Sequence, residues 1–229
     1  MGSNNIEMKE PGRIYLCKPC NKKYAQLNGI RLDTVDISKN LKDHHTISFE
    51  VDKYIYINGE KILSNGYEDI HSGMEVYYEG EGGILFKVEE PSLHGDGIAE
   101  YKSVNAVSVD SELVNKKVVD LQVHNGTTGS IELIASVNKG KSPLSEDFKW
   151  STFWNEDPEL SVIDIILQKA ENWSVGHIDD NLKTKEFALD ISDMGIYGLL
   201  TTVLCQKLKC VFTFDTVHRK INAYNVNTF

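Results

Sequence analysis

Apolar and polar positions alternate along much of the first hundred residues. Residues 46–51 (Thr-Ile-Ser-Phe-Glu-Val) have the period of two that marks a half-buried strand. The runs 54–57 and 60–63 flank Asn58-Gly59. That dipeptide between β-rich runs predicts a hairpin on a type I′ turn, which needs positive φ at both central residues. Residues 76–78 and 84–88 bracket Gly80-Glu81-Gly82-Gly83, a second predicted hairpin, and 14–16 and 30–32 are shorter strand candidates. Closely spaced short strands predict a small sandwich or barrel.

The pattern changes after the polar, turn-rich stretch 90–97. This places a boundary there and predicts two domains, 1–95 and 96–229. Residues 139–158 show little periodicity. Ser161-Val162-Ile163-Asp164 has the [ST]-x-x-[DE] form of a capping box. Ile163, Ile166, Leu167 and Ala170 continue it at helical spacing, to a stop near Asn172. A second helix is expected from Ser192-Asp193. Its Ile196, Leu199, Leu200, Val203, Leu204 and Leu208 form one apolar stripe, and Lys207 and Lys209 in its last turn complement the helix dipole. Residues 211–214 and 220–224 then bracket a loop from Asp215 to Arg219, a third hairpin. The predicted class is α+β: a β-rich, barrel-like N-terminal domain, then a segment with two amphipathic helices and a hairpin. The sequence stops directly after that hairpin, as expected of the N-terminal part of a longer polypeptide.

Composition narrows the function. The chain has 229 residues and a net charge of −10, from 34 acidic and 24 basic side chains. That balance argues against a nucleic-acid surface, which clusters Lys and Arg, and against binding to an anionic membrane. No apolar run approaches the 18 residues of a membrane helix, and residues 1–13 have no apolar core of a secretory signal. Four cysteines are too few for a disulfide scaffold.

Candidate chemistry is sparse. Residues 135–142 (Ala-Ser-Val-Asn-Lys-Gly-Lys-Ser) fit a relaxed Walker A motif, with Ala135 in place of the first glycine. A phosphate cradle needs glycines whose backbone N–H groups wrap the phosphates, and then a helix. Here only Gly140 is available and Pro143 follows, so a polar loop is expected and no nucleotide. Cys17-Lys18-Pro19-Cys20 is a lone CxxC. A zinc site would need two further ligands, and a redox pair normally opens an apolar helix. The role of Cys17 and Cys20 stays open. His44 and His45 point to opposite faces of an extended chain and are expected at the surface. Trp150, Phe153 and Trp154 form an aromatic cluster suited to a core, an interface or sugar stacking. No catalytic, cofactor-binding or metal-binding residue is assigned.

Three segments carry a family resemblance. They are 100–108 with Glu112-Leu113; 167–179, of the form ILxxAxxWxVGxID; and 211–224, containing FDxxxRxIxAY. In this order they resemble the tail-tip hub proteins of long-tailed phages and prophages of Gram-positive bacteria, often labelled prophage tail endopeptidase or tail-associated lysin. The resemblance spans roughly residues 10–229, the N-terminal hub region of that family. It implies a fold like the baseplate hub of contractile phages: two small β-barrels with an α/β segment between them, trimerised into a ring on the tail axis. The second barrel would lie beyond Phe229. It also implies a structural role in the virion, at the phage tail tip, after synthesis in the bacterial host cytoplasm. The implied partners are a homotrimer of the full-length protein, the distal tail protein and the tape-measure protein. The family's lytic modules lie downstream, so no peptidase residues transfer and this span is not expected to be an enzyme. The alternative takes the label literally, as a cell-wall peptidase or other hydrolase.

Overall fold

The computed structural model describes residues 12–18, 22–39, 43–80, 82–95, 99–123, 151–185 and 187–227. These are mostly β, with few and short helices, and the chain forms two compact units, 1–109 and 110–229.

The first unit is built on one eight-stranded antiparallel sheet. In chain order its strands are β1 (Ile14–Lys18), β2 (Lys22–Gln26), β3 (Ile30–Ser38), β4 (Thr46–Asp52), β7 (Glu75–Tyr78), β8 (Ile84–Val88), β9 (Ser92–Gly95) and β10 (Glu100–Ser108). The strand order is β2-β1-β7-β8-β10-β4-β3, with β9 on the outer half of β10. Between β4 and β7, β5 (Tyr54–Ile57) and β6 (Glu60–Leu63) pair with each other and, among the described residues, with no other strand. Asn58 and Gly59 have φ of 53° and 84°, as a type I′ turn requires.

Alternation explains much of the core. Ile14, Leu16, Phe49, Val51, Phe86 and Val104 are at most 2% exposed, and β4 alternates buried and half-buried positions cleanly, whereas Cys17 on β1 and Leu85 on β8 are buried beside core residues. The expected barrel does not close: among the described residues no ladder joins the edge strands β2 and β3. They are instead consecutive parts of one run. Leu27 N–H donates to Ile14 O of β1, and Asp52 N–H of β4 donates to Gly29 O. The two edges are thus joined through residues 27–29, so the sheet must coil back on itself. Seven flat strands at about 4.8 Å spacing would hold the edges much further apart than three residues reach.

The unit ends after β10, later than the boundary expected at 95. The turn-rich stretch 90–97 only leads into β9 and β10, and Val104 and Ala106 of β10 return to the same core.

In the second unit β11 (Lys117–Val123) pairs antiparallel with β13 (Leu189–Gly195). β12 (Ser174–Ile178) runs parallel to β15 (Lys220–Asn225), which pairs antiparallel with β14 (Cys210–Asp215). Helix α1 (Val162–Leu167) starts where expected: the fully buried Ser161 is its N-cap, and its side chain accepts from Asp164 N–H at 3.4 Å. It ends at Leu167, before the expected Asn172, and continues only as turns. A four-residue α2 spans Asp180–Lys183.

The last helix, α3, covers 196–208, with a π-helical stretch at Leu199–Leu204. Ser192 and Asp193 do not open it; they lie in β13. Its stripe is the predicted one. Ile196, Leu199, Leu200, Leu204 and Leu208 are fully buried, and Val203 is half-buried. Thr201 Oγ1 donates to Tyr197 O and Cys205 Sγ to Thr201 O, side-chain bonds of the kind that bend helices. Lys209 closes the helix in the left-handed region at φ 53°. Lys185 Nζ donates to Leu208 O at this end, a cation at the negative end of the dipole.

Candidate functional site

In the second unit Glu112, the end of the first family-like segment, meets the other two segments. Glu112 Oε1 accepts from Trp173 Nε1 at 2.6 Å and from Arg219 Nε at 3.2 Å. The Glu112 and Arg219 side chains are 25% and 14% exposed, so this charge-assisted junction is partly shielded from water. Leu113, beside Glu112, is fully buried. The Trp173 ring also meets Phe214 edge-on, at 6.1 Å between centroids.

β12, Trp154 and the four-residue α2 line an open groove of about 430 Å³. Its walls come from Trp154, residues 175–180 and Lys183. His177 Nε2 is 2.8 Å from Asp179 Oδ1, and the imidazole stacks on Tyr224 at 5.1 Å. The other oxygen of Asp179 accepts from Asn225 N–H at 2.7 Å. Lys183 reaches Asp180 at 2.6 Å and lies 4.9 Å from the Trp154 ring centroid. This holds the Asp180 carboxyl below its usual value, first through the hydrogen bond from Lys183. Gly176 is required by close approach: a Cβ there would fall 2.2 Å from Asn222 Oδ1, the oxygen that accepts from His177 N–H.

A histidine beside a carboxylate is the pairing used in acid–base chemistry. Among the described residues the groove's lining is Trp, Val, Gly, His, Ile, Asp and Lys, without Ser, Thr or Cys. Among the described residues no three His, Cys, Asp or Glu side chains gather as metal ligands. The dyad instead ties β12 to the end of β15.

The other candidates scatter. Cys17 is buried on β1, and burial pushes its thiol up to about 11. Cys210 is buried at the start of β14, and burial pushes its thiol up to about 12. Such thiols are poor nucleophiles and ligands at neutral pH. Cys20, residues 135–142 of the Walker-like loop, Pro143 and Trp150 lie outside the described residues. His44 and His45 are half-buried just before β4, and His45 N–H donates to Ser108 Oγ. The aromatic cluster divides: Phe153 is fully buried with edge contacts to Phe187 and Phe212, whereas Trp154 is half-buried and lines the groove. No helix among the described residues is long and apolar enough to cross a membrane.

Three solved structures share the fold. They are prophage tail protein gp18 from Listeria monocytogenes EGD-e (TM-score 0.56, 12% identity), the 43 kDa tail protein of prophage MuSo2 from Shewanella oneidensis (0.52, 13%) and the tail protein from Neisseria meningitidis MC58 (0.54, 9%). Each match covers 93% of this chain, but the chain spans only about half the length of those proteins, 50%, 52% and 50% respectively. No protein-family model and no curated protein sequence matches the chain.

Proposed function

We propose that this chain is a structural component of a phage or prophage tail, the N-terminal part of a tail-tip hub. In this reading the full-length protein forms a homotrimeric ring at the distal end of the tail, between the distal tail protein and the tape-measure protein. The coiled sheet of the first unit serves as the barrel-like hub domain. The role of the span is scaffolding, and any cell-wall-degrading activity belongs to other parts of the full-length protein. The observation that carries the reading is the likeness to three tail proteins over 93% of the chain. It agrees with the way Glu112, Trp173, His177, Asp179 and Arg219 are used, since each joins one backbone element to another.

Negative-stain microscopy of tails labelled with an antibody against residues 1–229 tests it. Label at the distal tip is expected. Label along the tube, on the capsid or nowhere on the particle overturns the assignment. Cleavage of purified cell wall by the 1–229 chain alone would move the function to the hydrolase class.

A further inference from the structure

The β5–β6 ribbon departs from the one-buried-face alternation seen in β4. Cross-strand pairing places Tyr54, Tyr56, Lys61 and Leu63 on one face and Ile55, Ile57, Glu60 and Ile62 on the other. Both faces are therefore apolar, and both are open to solvent. Tyr56 is 71% exposed, Ile57 and Leu63 46%, Ile62 40% and Tyr54 37%. A two-stranded hairpin alone in water is marginal, and apolar surface gathered in one place marks a contact site. This hairpin is nevertheless held firmly in shape. The Asn58-Gly59 turn sets its tip. At its base Ser64 N–H donates to Lys53 O and Lys53 N–H to Glu100 O, both at 2.8 Å. Lys53 also pairs with Glu100 at 2.7 Å, and Lys61 lies 4.3 Å from the Tyr54 ring centroid.

We propose that this hairpin is an assembly arm that docks on a neighbouring copy of the same chain within a closed ring. The inference rests on the ring reading above and names the surface that builds the ring. A ribbon with two apolar faces is covered on both only when it enters a cleft or lies between two surfaces. Size selects the partner. Residues 54–63 are far fewer than the roughly 20–30 residues per side of a stable two-body interface. A contact this small holds when it recurs: in a closed ring every copy gives one arm and receives one, and closure joins the weak contacts. Charge permits it. Lys53 is paired with Glu100 and Lys61 stands against Glu60, so the arm and its base carry no net charge. On a chain of net charge −10, a neutral apolar arm is a surface that can approach a second copy without like-charge repulsion.

The test places a photoreactive benzoylphenylalanine at position 56 of the full-length chain, in purified protein and in assembled tails. After irradiation, cross-linked peptides are identified by mass spectrometry. The expected product links position 56 of one copy to a peptide of another copy, in both samples. A second measurement uses Ile57→Lys with Ile62→Lys, both on the solvent-open ribbon and outside the core. This variant should keep the wild-type circular dichroism while its light-scattering mass falls from oligomer to monomer. Cross-links only to a different tail protein overturn the arm and leave the tail reading standing. Tails that contain no copy of the chain overturn the tail reading, while self-cross-linking of the purified protein still upholds the arm. No cross-link between copies in either sample, with the variant's mass unchanged, overturns the arm.

Discussion

Replacing Glu112 by alanine removes the acceptor shared by Trp173 and Arg219. Breaking a fully buried ion pair costs about 3–5 kcal/mol, and a single hydrogen bond to a charged group contributes about 1.5–3 kcal/mol. The pair here is partly exposed, at 25% and 14%, and Arg219 has further interactions. The expected loss is therefore about 2–3 kcal/mol, below the buried-pair range. Glu112→Gln keeps an oxygen acceptor but removes the charge, and should lose about half as much. Trp150, Trp154 and Trp173 all belong to the second unit, so tryptophan emission during urea unfolding follows that unit specifically. With a slope of about 1–3 kcal/mol per molar urea, the alanine variant's midpoint should fall by roughly 1 M. A midpoint within about 0.2 M of wild type, at unchanged slope, would refute the view that this junction holds the three segments together.

The apolar stripe of α3 makes a blunter prediction. Leu204→Asp puts an unpaired carboxylate at a fully buried position, a cost of at least several kcal/mol; the variant should be insoluble or lack a cooperative transition in the second unit, and wild-type melting would mean that the stripe is not core. Lys209→Gly should stabilise the chain by up to about 1 kcal/mol, because the residue sits at φ 53°, where a side chain is strained and glycine is not; an unchanged or lower urea midpoint would argue against that closure. Cys17 and Cys210, with thiols pushed up to about 11 and about 12 by burial, should stay unalkylated by iodoacetamide at pH 8 in the native state and react in urea. The same raised values mean that their contribution to stability is complete below about pH 8.5, the ordinary thiol value, and is lost as pH rises toward 11 and 12.

Much of the first unit was legible because its signals are local. Period-two alternation marks β4, and turn chemistry marks the β5–β6 and β7–β8 hairpins. The apolar stripe of α3 was equally plain, but its start was placed too early. Ser192 and Asp193 have the composition of an N-cap yet pair as strand residues with β11. β12 and β13 escaped because Ser174–Ile178 and Leu189–Gly195 have no clean alternation, and their pairing partners lie far along the chain. The same holds for the site: Glu112 is 61 residues from Trp173 and 107 from Arg219, and no spacing rule reaches that far. The arm did leave a trace. Tyr54-Ile55-Tyr56-Ile57 is continuously apolar where a strand with one solvent face would alternate, and only the exposures distinguish an arm from a doubly buried strand.

Residue types that suggest chemistry also join elements of the fold here. His177, Asp179, Glu112 and Arg219 would each pass as catalytic in an inspection of motifs alone. In the folded unit Asp179 accepts one bond from an imidazole and another from the backbone of β15, which fixes its orientation and uses both oxygens. Glu112 is likewise committed to an indole and a guanidinium. What such bonds supply is a fixed relation between Glu112 and β12, and between β12, β14 and β15, with Gly176 packed too closely against Asn222 to accept a side chain. The scaffold role proposed above draws on that rigidity. A protein held in an assembly under mechanical load benefits from charged links between elements distant in sequence, since separating those elements requires several shielded bonds to break together.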